Sequence, residues 1–82
     1  MILTDIYVSA LDKTYDFRVD ETVPIYIVIA ELVEIINREI RNEEKIDSES
    51  FDLCSYEFQG ILPRDKTLGE CHIRNGSKLF MI

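Results

Sequence analysis

The sequence predicts an α+β fold in which one long helix packs across a mixed β-sheet. Two segments near the N-terminus alternate apolar and polar residues, as half-buried strands do. One central segment repeats apolar residues with the period of a helix, and short apolar segments follow it to the last residue. The predicted order is therefore β-β-α-β-β-β, with a short fourth strand. We expect residues 1–82 to form a single domain.

The first two strands are predicted to form an antiparallel hairpin. The segment ILTDIYVSA (residues 2–10) alternates, and one of its faces is formed by Ile2, Thr4, Ile6 and Val8. The segment YDFRVD (residues 15–20) alternates in the same way, with Tyr15, Phe17 and Val19 directed inward. Residues 11–14 connect the two segments, which is a suitable length for a hairpin turn.

The central helix is predicted from Ile25 to about residue 42. Thr22 is the expected N-cap, and Pro24 falls in the first turn, where its missing N–H costs nothing. A rotation of about 100° per residue places one set of apolar residues on a single face: Ile25, Val28, Ile29, Leu32, Ile35, Ile36 and Ile40. The opposite face carries Glu31, Glu34, Arg38 and Arg41.

The apolar arc of this helix is wider than one core face requires. Tyr26, Ile27 and Val33 extend it beyond the inward residues. Exposed apolar surface of this kind tends to mark an interface, so these three residues are a candidate protein-binding surface. Self-association into a homodimer through the helices is the simplest way to bury it. The alternative is that long side chains and the acidic loop cover the arc within one molecule.

The rest of the sequence predicts short strands separated by turns. A polar, acidic loop (residues 41–50) leads into FDLCSYEF (residues 51–58), where Cys54, Tyr56 and Phe58 are predicted to face inward. Leu53, Ser55 and Glu57 are predicted to face outward. Turns at residues 59–60 and 63–66 flank a short strand, and residues 67–73 read as a helical turn or loop. The last strand, KLFMI, is too apolar for an exposed edge, so we expect it to pair with the first strand in parallel.

The charge balance and the apolar segments exclude several classes of partner. Nine basic and 16 acidic residues give a net charge of -7, which disfavours nucleic acid and anionic membrane surfaces. The longest uncharged apolar run, VPIYIVIA, is much shorter than the about 20 residues of a membrane span. The start of the sequence has no features of a signal peptide. We therefore expect a cytoplasmic protein with free cysteines and no membrane insertion.

No residue pattern indicates catalysis or a cofactor. Cys71 and His72 are adjacent in sequence, so their side chains rarely face each other, and no third group orients them. Two cysteines and one histidine do not match a zinc-site spacing. The acidic residues, Asp20 and Glu21 together with residues 43–49, lack the ligand pattern of a calcium loop and read as solvated surface. We expect no enzymatic activity, no metal and no cofactor.

The segment TLGECHIRNGSKL (residues 67–79) resembles the corresponding segment of ubiquitin-like β-grasp proteins. The matching positions are Thr67, Leu68, Ile73, Gly76 and Leu79, preceded by Phe58, Gly60 and Leu62. Within that superfamily, the sequence is most similar to the bacterial YukD-like (EsaB-like) proteins. This similarity rests on VPIYIVIAEL, with Ile25, Val28 and Ile29 inward, on GECHIRNGSKL, and on the overall length.

This resemblance implies a non-enzymatic, ubiquitin-like protein-binding module that is a cytoplasmic accessory of a Gram-positive type VII (WXG100) secretion system. Conjugation and sulfur carriage require a flexible Gly-Gly tail, whereas this sequence ends at Ile82, so we expect no conjugation. Glu57 stands where ubiquitin-like sheet faces carry an aliphatic residue, so we expect recognition through the helix. Two alternatives remain: a ubiquitin-type or sulfur-carrier protein whose tail is absent from this sequence, and a β-grasp interaction domain unrelated to secretion.

Overall fold

The computed structural model describes residues 1–39, 47–58 and 60–82, and the order of its elements matches the prediction. The elements are β1 (Ile2–Val8), β2 (Lys13–Val19), α1 (Ile25–Glu39), β3 (Leu53–Ser55), β4 (Gly60–Ile61) and β5 (Lys78–Met81). A short 3₁₀ helix spans Ser48–Ser50. The predicted helical residues Ile40 and Arg41, the acidic residues 43 and 44 and the turn residue Gln59 lie outside the described residues.

The five strands form one mixed sheet in the order β2-β1-β5-β3-β4. β1 and β5 are parallel at its centre, which confirms the predicted pairing of the last strand with the first. The other three pairings are antiparallel. Beyond β5, the Ile82 N–H donates to the Asp52 carbonyl at 3.0 Å, and the Asp52 N–H donates to the Ile82 carbonyl at 2.9 Å. The predicted α+β class, one helix packed on a mixed sheet, is confirmed.

The helix packs one apolar face against the sheet, but this face is rotated from the predicted one. Val33 is buried in the core, whereas Ile35, which we predicted to face inward, is 39% exposed. The 3₁₀ helix lies against α1, and Asp47 and Ser48 line a depression together with Val33. These residues cover the Val33 side of the helix. The buried helical residues are Ile25, Val28, Ile29, Leu32, Val33 and Ile36.

The helix begins at Ile25, and the prediction that Thr22 caps it is wrong. The Thr22 N–H and hydroxyl both donate to Asp20 Oδ1, at 2.9 and 2.6 Å, which closes a local turn before the helix. The carbonyl of Pro24 accepts the first helical hydrogen bonds instead, from Ile27 at 2.9 Å and from Val28 at 3.3 Å. Proline suits this position because it has no N–H to leave unpaired.

The loop after β4 satisfies the free N–H groups at the start of the helix. The Ile25 N–H donates to the Lys66 carbonyl at 2.8 Å, and the Tyr26 N–H donates to the Arg64 carbonyl at 3.1 Å. The Arg64 guanidinium donates to the Phe51 carbonyl and, at 3.4 Å, to Asp52 Oδ1. One loop therefore joins the start of the helix to the segment that leads into β3.

The loop from Thr67 to Ile73 is held by its own hydrogen bonds and by two buried side chains. The Thr67 N–H donates to Glu70 Oε1 and the Glu70 N–H donates to Thr67 Oγ1, both at 3.0 Å, which is the reciprocal pattern of a capping box. These bonds lower the pKa of the Glu70 carboxyl. Leu68 and Ile73, two of the positions that match ubiquitin-like proteins, are buried. Gly76 then takes a φ of 84°, which glycine adopts without strain, and turns the chain into β5.

Candidate protein-binding face

The face of β3 that is turned away from the helix is the opposite of the predicted one. Leu53 pairs with Met81, and both belong to the core beneath α1. Cys54 pairs with Phe80, so it lies on the outer face of the sheet. We predicted Cys54 to face inward and Leu53 to face outward, and both predictions are wrong. The register with β5 decides the matter because Leu79 and Met81 are the residues of β5 that face the core.

This register places a continuous row of side chains across the outer face of four strands. Tyr7 of β1 pairs with Phe80 of β5, Phe80 pairs with Cys54 of β3, and Cys54 pairs with Ile61 of β4. The Tyr56 ring packs on the Phe80 ring, with centroids 4.7 Å apart and planes at 45°. These five residues form what we call the aromatic patch. Directly opposed residues share a face, so the patch is contiguous.

The outer layer of the aromatic patch is open to solvent. Tyr56 is 63% exposed and Ile61 is 55% exposed, whereas Cys54 beneath them is buried. Burial raises the pKa of the Cys54 thiol, with a smaller contribution from Asp52. A buried, neutral thiol acts as a small apolar side chain. The patch therefore offers apolar and aromatic contacts to a partner rather than a reactive sulfur.

Tyr7 at the end of the row is held in place by the β1–β2 turn. Its hydroxyl donates to Asp12 Oδ1 at 2.8 Å, and this hydrogen bond raises the pKa of the Tyr7 phenol. Asp12 itself has a φ of 51°, in the left-handed region that aspartate tolerates in turns. The ring of Tyr7 is thus oriented before any partner binds, which reduces the entropy lost on binding.

Two aspartates face each other on the same outer surface, beside Tyr7. Asp5 of β1 and Asp16 of β2 are direct cross-strand partners. A hydrogen bond with Asp5 and repulsion from its charge raise the pKa of the Asp16 carboxyl. Asp5 and Tyr7 also line a depression of about 360 Å³, together with Thr14, Tyr56, Lys78 and Leu79. A polar cleft therefore adjoins the aromatic patch.

Asp16→Asn is expected to stabilise the fold at neutral pH because it removes the repulsion from Asp5. The folded-state pKa of Asp16 is raised, so its destabilising effect appears as the pH rises above the ordinary aspartate pKa of about 3.9. The gain in free energy of unfolding should thus be present at pH 7 and vanish near pH 3. Urea denaturation at both pH values measures it. The exposed Asp65→Asn is the control, and an equal gain there would contradict the prediction.

The predicted helix surface is divided among three environments. Tyr26 is 50% exposed, Ile27 is half-buried, and Val33 is only 4% exposed. The expectation that Val33 lies on an accessible surface is wrong because the segment around the 3₁₀ helix covers that side of α1. Binding through Tyr26 and Ile27 stays a prediction. The sequence pattern did not reveal the aromatic patch because it indicated the wrong faces for β3.

The other residues that could take part in a reaction, Cys71 and His72, do not belong to the aromatic patch. Cys71 is buried, and burial raises the pKa of its thiol, while the adjacent His72 is exposed with a φ of 61°. In residues 1–39, 47–58 and 60–82, no three side chains of the metal-binding types cluster together. Of the helices in the same ranges, none has the length and apolar character to cross a membrane.

Comparison with known proteins identifies the fold. No protein-family model matches the chain, and a search of curated proteins finds no match. The EccD5 ubiquitin-like domain from Mycobacterium xenopi is similar in structure, with a TM-score of 0.77, 19% identity, and coverage of 99% of this chain and 91% of that one. The N-terminal ubiquitin-like domain of the 4931431F19Rik protein has a TM-score of 0.78 and 12% identity, covering 99% and 72% of the two chains. The chain therefore has the ubiquitin-like β-grasp fold.

Proposed function

We propose that this chain is a non-enzymatic, ubiquitin-like protein-binding module whose partner docks on the aromatic patch. The observation that carries the proposal is the contiguous row from Tyr7 to Ile61, with the exposed Tyr56 ring packed on Phe80. Contiguous exposed apolar surface tends to mark an interaction site. Tyrosine and phenylalanine are also enriched at protein interfaces, where they contribute large buried areas.

The sheet face is a better candidate than the helix. Of the large apolar side chains described in α1, the exposed ones are Tyr26 and Ile35. These two are nine positions apart, which at about 100° per residue puts them on opposite sides of the helix. One partner surface therefore contacts both only with difficulty. The residues of the aromatic patch, in contrast, are direct neighbours on adjacent strands.

The proposed cellular role is that of a cytoplasmic accessory of a type VII secretion system. Its support is the resemblance of VPIYIVIAEL and GECHIRNGSKL to the YukD-like family. The EccD5 ubiquitin-like domain, which has the same fold, is compatible with this role. A net charge of -7 favours partners with basic surfaces over nucleic acids and anionic lipids.

A native pull-down with two matched double variants tests both parts of the proposal. Tyr56→Ser with Ile61→Ser removes the exposed residues of the aromatic patch, and Tyr26→Ser with Ile35→Ser makes the same replacements on the helix. All three baits are first checked for folding by circular dichroism. We expect wild type and the helix variant to recover the same partner from a lysate of the source organism, and the sheet variant to lose it.

Other outcomes of the pull-down separate the hypotheses. Loss of the partner by the helix variant alone would support binding through the helix and contradict binding through the aromatic patch. Recovery of the same partner by all three baits would place the binding surface elsewhere. Recovery of secretion-system proteins by wild type supports the proposed cellular role, whereas a specific partner outside secretion would contradict that role and leave the binding function intact.

A further inference from the structure

The charged residues beside the aromatic patch identify the chemistry of the partner. Asp5 and Asp16 lie directly opposite each other on β1 and β2, an arrangement in which like charges destabilise a sheet. The pKa of Asp16 is raised because of its contact with Asp5, so the two carboxyl groups are close enough to interact. A cation that contacts both carboxylates would relieve the repulsion between them.

Two cations of the described strands flank the aspartates without forming an ion pair with them. Arg18 lies two residues along β2 from Asp16, and Lys78 pairs with Asp5 from the other side, on β5. Among the residues that the structure describes, neither Arg18 nor Lys78 comes within 4.0 Å of a carboxylate oxygen. The two carboxylates on the outer face of β1 and β2 therefore remain available to a positive group that the partner supplies.

We infer that the segment docked on the aromatic patch presents an arginine side chain to Asp5 and Asp16. This inference rests on the proposed function because the patch supplies the apolar part of the same interface. The depression of about 360 Å³ joins the two parts, since Asp5 and the rings of Tyr7 and Tyr56 all line it. The partner is thus a protein segment with an arginine next to apolar residues.

Arginine suits this site better than other cations. Its planar guanidinium carries several N–H donors in a fixed fork and can bridge two carboxylates at once. Its face also stacks on aromatic rings, and Tyr7 and Tyr56 line the same depression as Asp5. The net charge of -7 draws a basic segment toward the domain, whereas two copies of this chain would repel each other.

Selection from random 16-residue peptides displayed on phage tests this inference and requires no identified partner. Peptides are selected on the wild-type protein, and those that bind the Tyr56→Ser, Ile61→Ser variant equally well are removed. The remaining peptides are measured by fluorescence anisotropy against wild type and Asp5→Asn, Asp16→Asn. Glu31→Gln, Asp65→Asn removes the same charge from exposed positions on α1 and in the loop after β4, and is the control.

The inference predicts that the patch-dependent peptides share an arginine at a constant position. Loss of both aspartates should weaken their binding about tenfold, because charge-assisted hydrogen bonds are lost. Replacement of the arginine by citrulline, which keeps the shape but not the charge, should do the same. The control variant should change the affinity less than about twofold, as expected for distant, solvent-screened charges.

Two results would overturn the inference, and they differ in what they leave standing. Patch-dependent peptides that lack arginine, or that bind the Asp5→Asn, Asp16→Asn variant as tightly as wild type, overturn the arginine site and leave the proposed function intact. A selection that yields no peptide dependent on Tyr56 and Ile61 overturns both the arginine site and the proposed function.

Discussion

Leu68→Ala is expected to lower the free energy of unfolding by about 3 kcal/mol, since truncation of a buried leucine loses transfer free energy and leaves a cavity. Leu68 is fully buried, and its carbonyl accepts hydrogen bonds from Cys71 at 3.1 Å and from Ile73 at 3.0 Å. These bonds hold the loop closed around the side chain, so the surroundings have little freedom to collapse into the cavity. In a domain of 82 residues, this is a large part of the total stability.

Thermal and urea denaturation measure this effect, and Leu3→Ala is the matched control. Leu3 is 46% exposed, so the same substitution removes less buried area there and should cost less than about 1.5 kcal/mol. The expected loss at Leu68 corresponds to a fall in Tm of about 12 to 24 °C for a domain of this size. Equal losses in the two variants would mean that Leu68 is not an anchor of the loop.

The parts of the fold that could be predicted are those whose sequence pattern is compatible with a single arrangement. β1 and β2 alternate strictly, so the buried residues of each strand lie on one face: Thr4, Ile6 and Val8 in β1, and Phe17 and Val19 in β2. The last strand is too apolar for an edge, which favoured a place inside the sheet, and its predicted parallel pairing with β1 is observed. The Thr67–Leu68 segment was recognised through its resemblance to ubiquitin-like proteins, whose fold the structure shows.

The inward and outward faces of β3 could not be predicted because its local sequence does not separate an apolar face from a polar one. Leu53, Cys54 and Ser55 are all buried, so alternation of apolar and polar residues does not distinguish the two sides. The register with β5, a contact distant in sequence, decides which of them faces the helix. A shift of one residue exchanges the two faces of a strand, so this error hid the aromatic patch entirely.

The rotation of the helix, with Ile35 inward, was predicted wrongly for a related reason. Its apolar arc is broad enough to fit the core in more than one rotation, and the periodicity alone does not choose between Val33 and Ile35. The choice depends on the segment around Ser48–Ser50, which lies on the Val33 side of α1. Tertiary packing of that segment therefore decides which part of the helix a partner can reach.

Val33→Glu provides the sharpest test of this packing, and it is expected to lower the free energy of unfolding by about 3 kcal/mol at pH 7. Val33 is 4% exposed, so a glutamate there loses hydration and its folded-state pKa rises above the unfolded value of about 4.3. The cost of keeping the carboxyl protonated is present at pH 7. It declines as the pH falls through the raised pKa, and below about pH 4.3 only the cost of the altered packing remains.

Tyr26→Glu is the control for the same substitution at a position that is 50% exposed. A glutamate there stays hydrated, so the loss should be less than about 1 kcal/mol and nearly independent of pH. Urea denaturation at pH 7 and pH 4, with each variant compared with wild type at the same pH, isolates the effect of the new carboxyl. If Val33→Glu proves as stable as Tyr26→Glu at both pH values, Val33 is accessible to solvent. The surface formed by Tyr26, Ile27 and Val33 would then be a second candidate docking site, in addition to the aromatic patch.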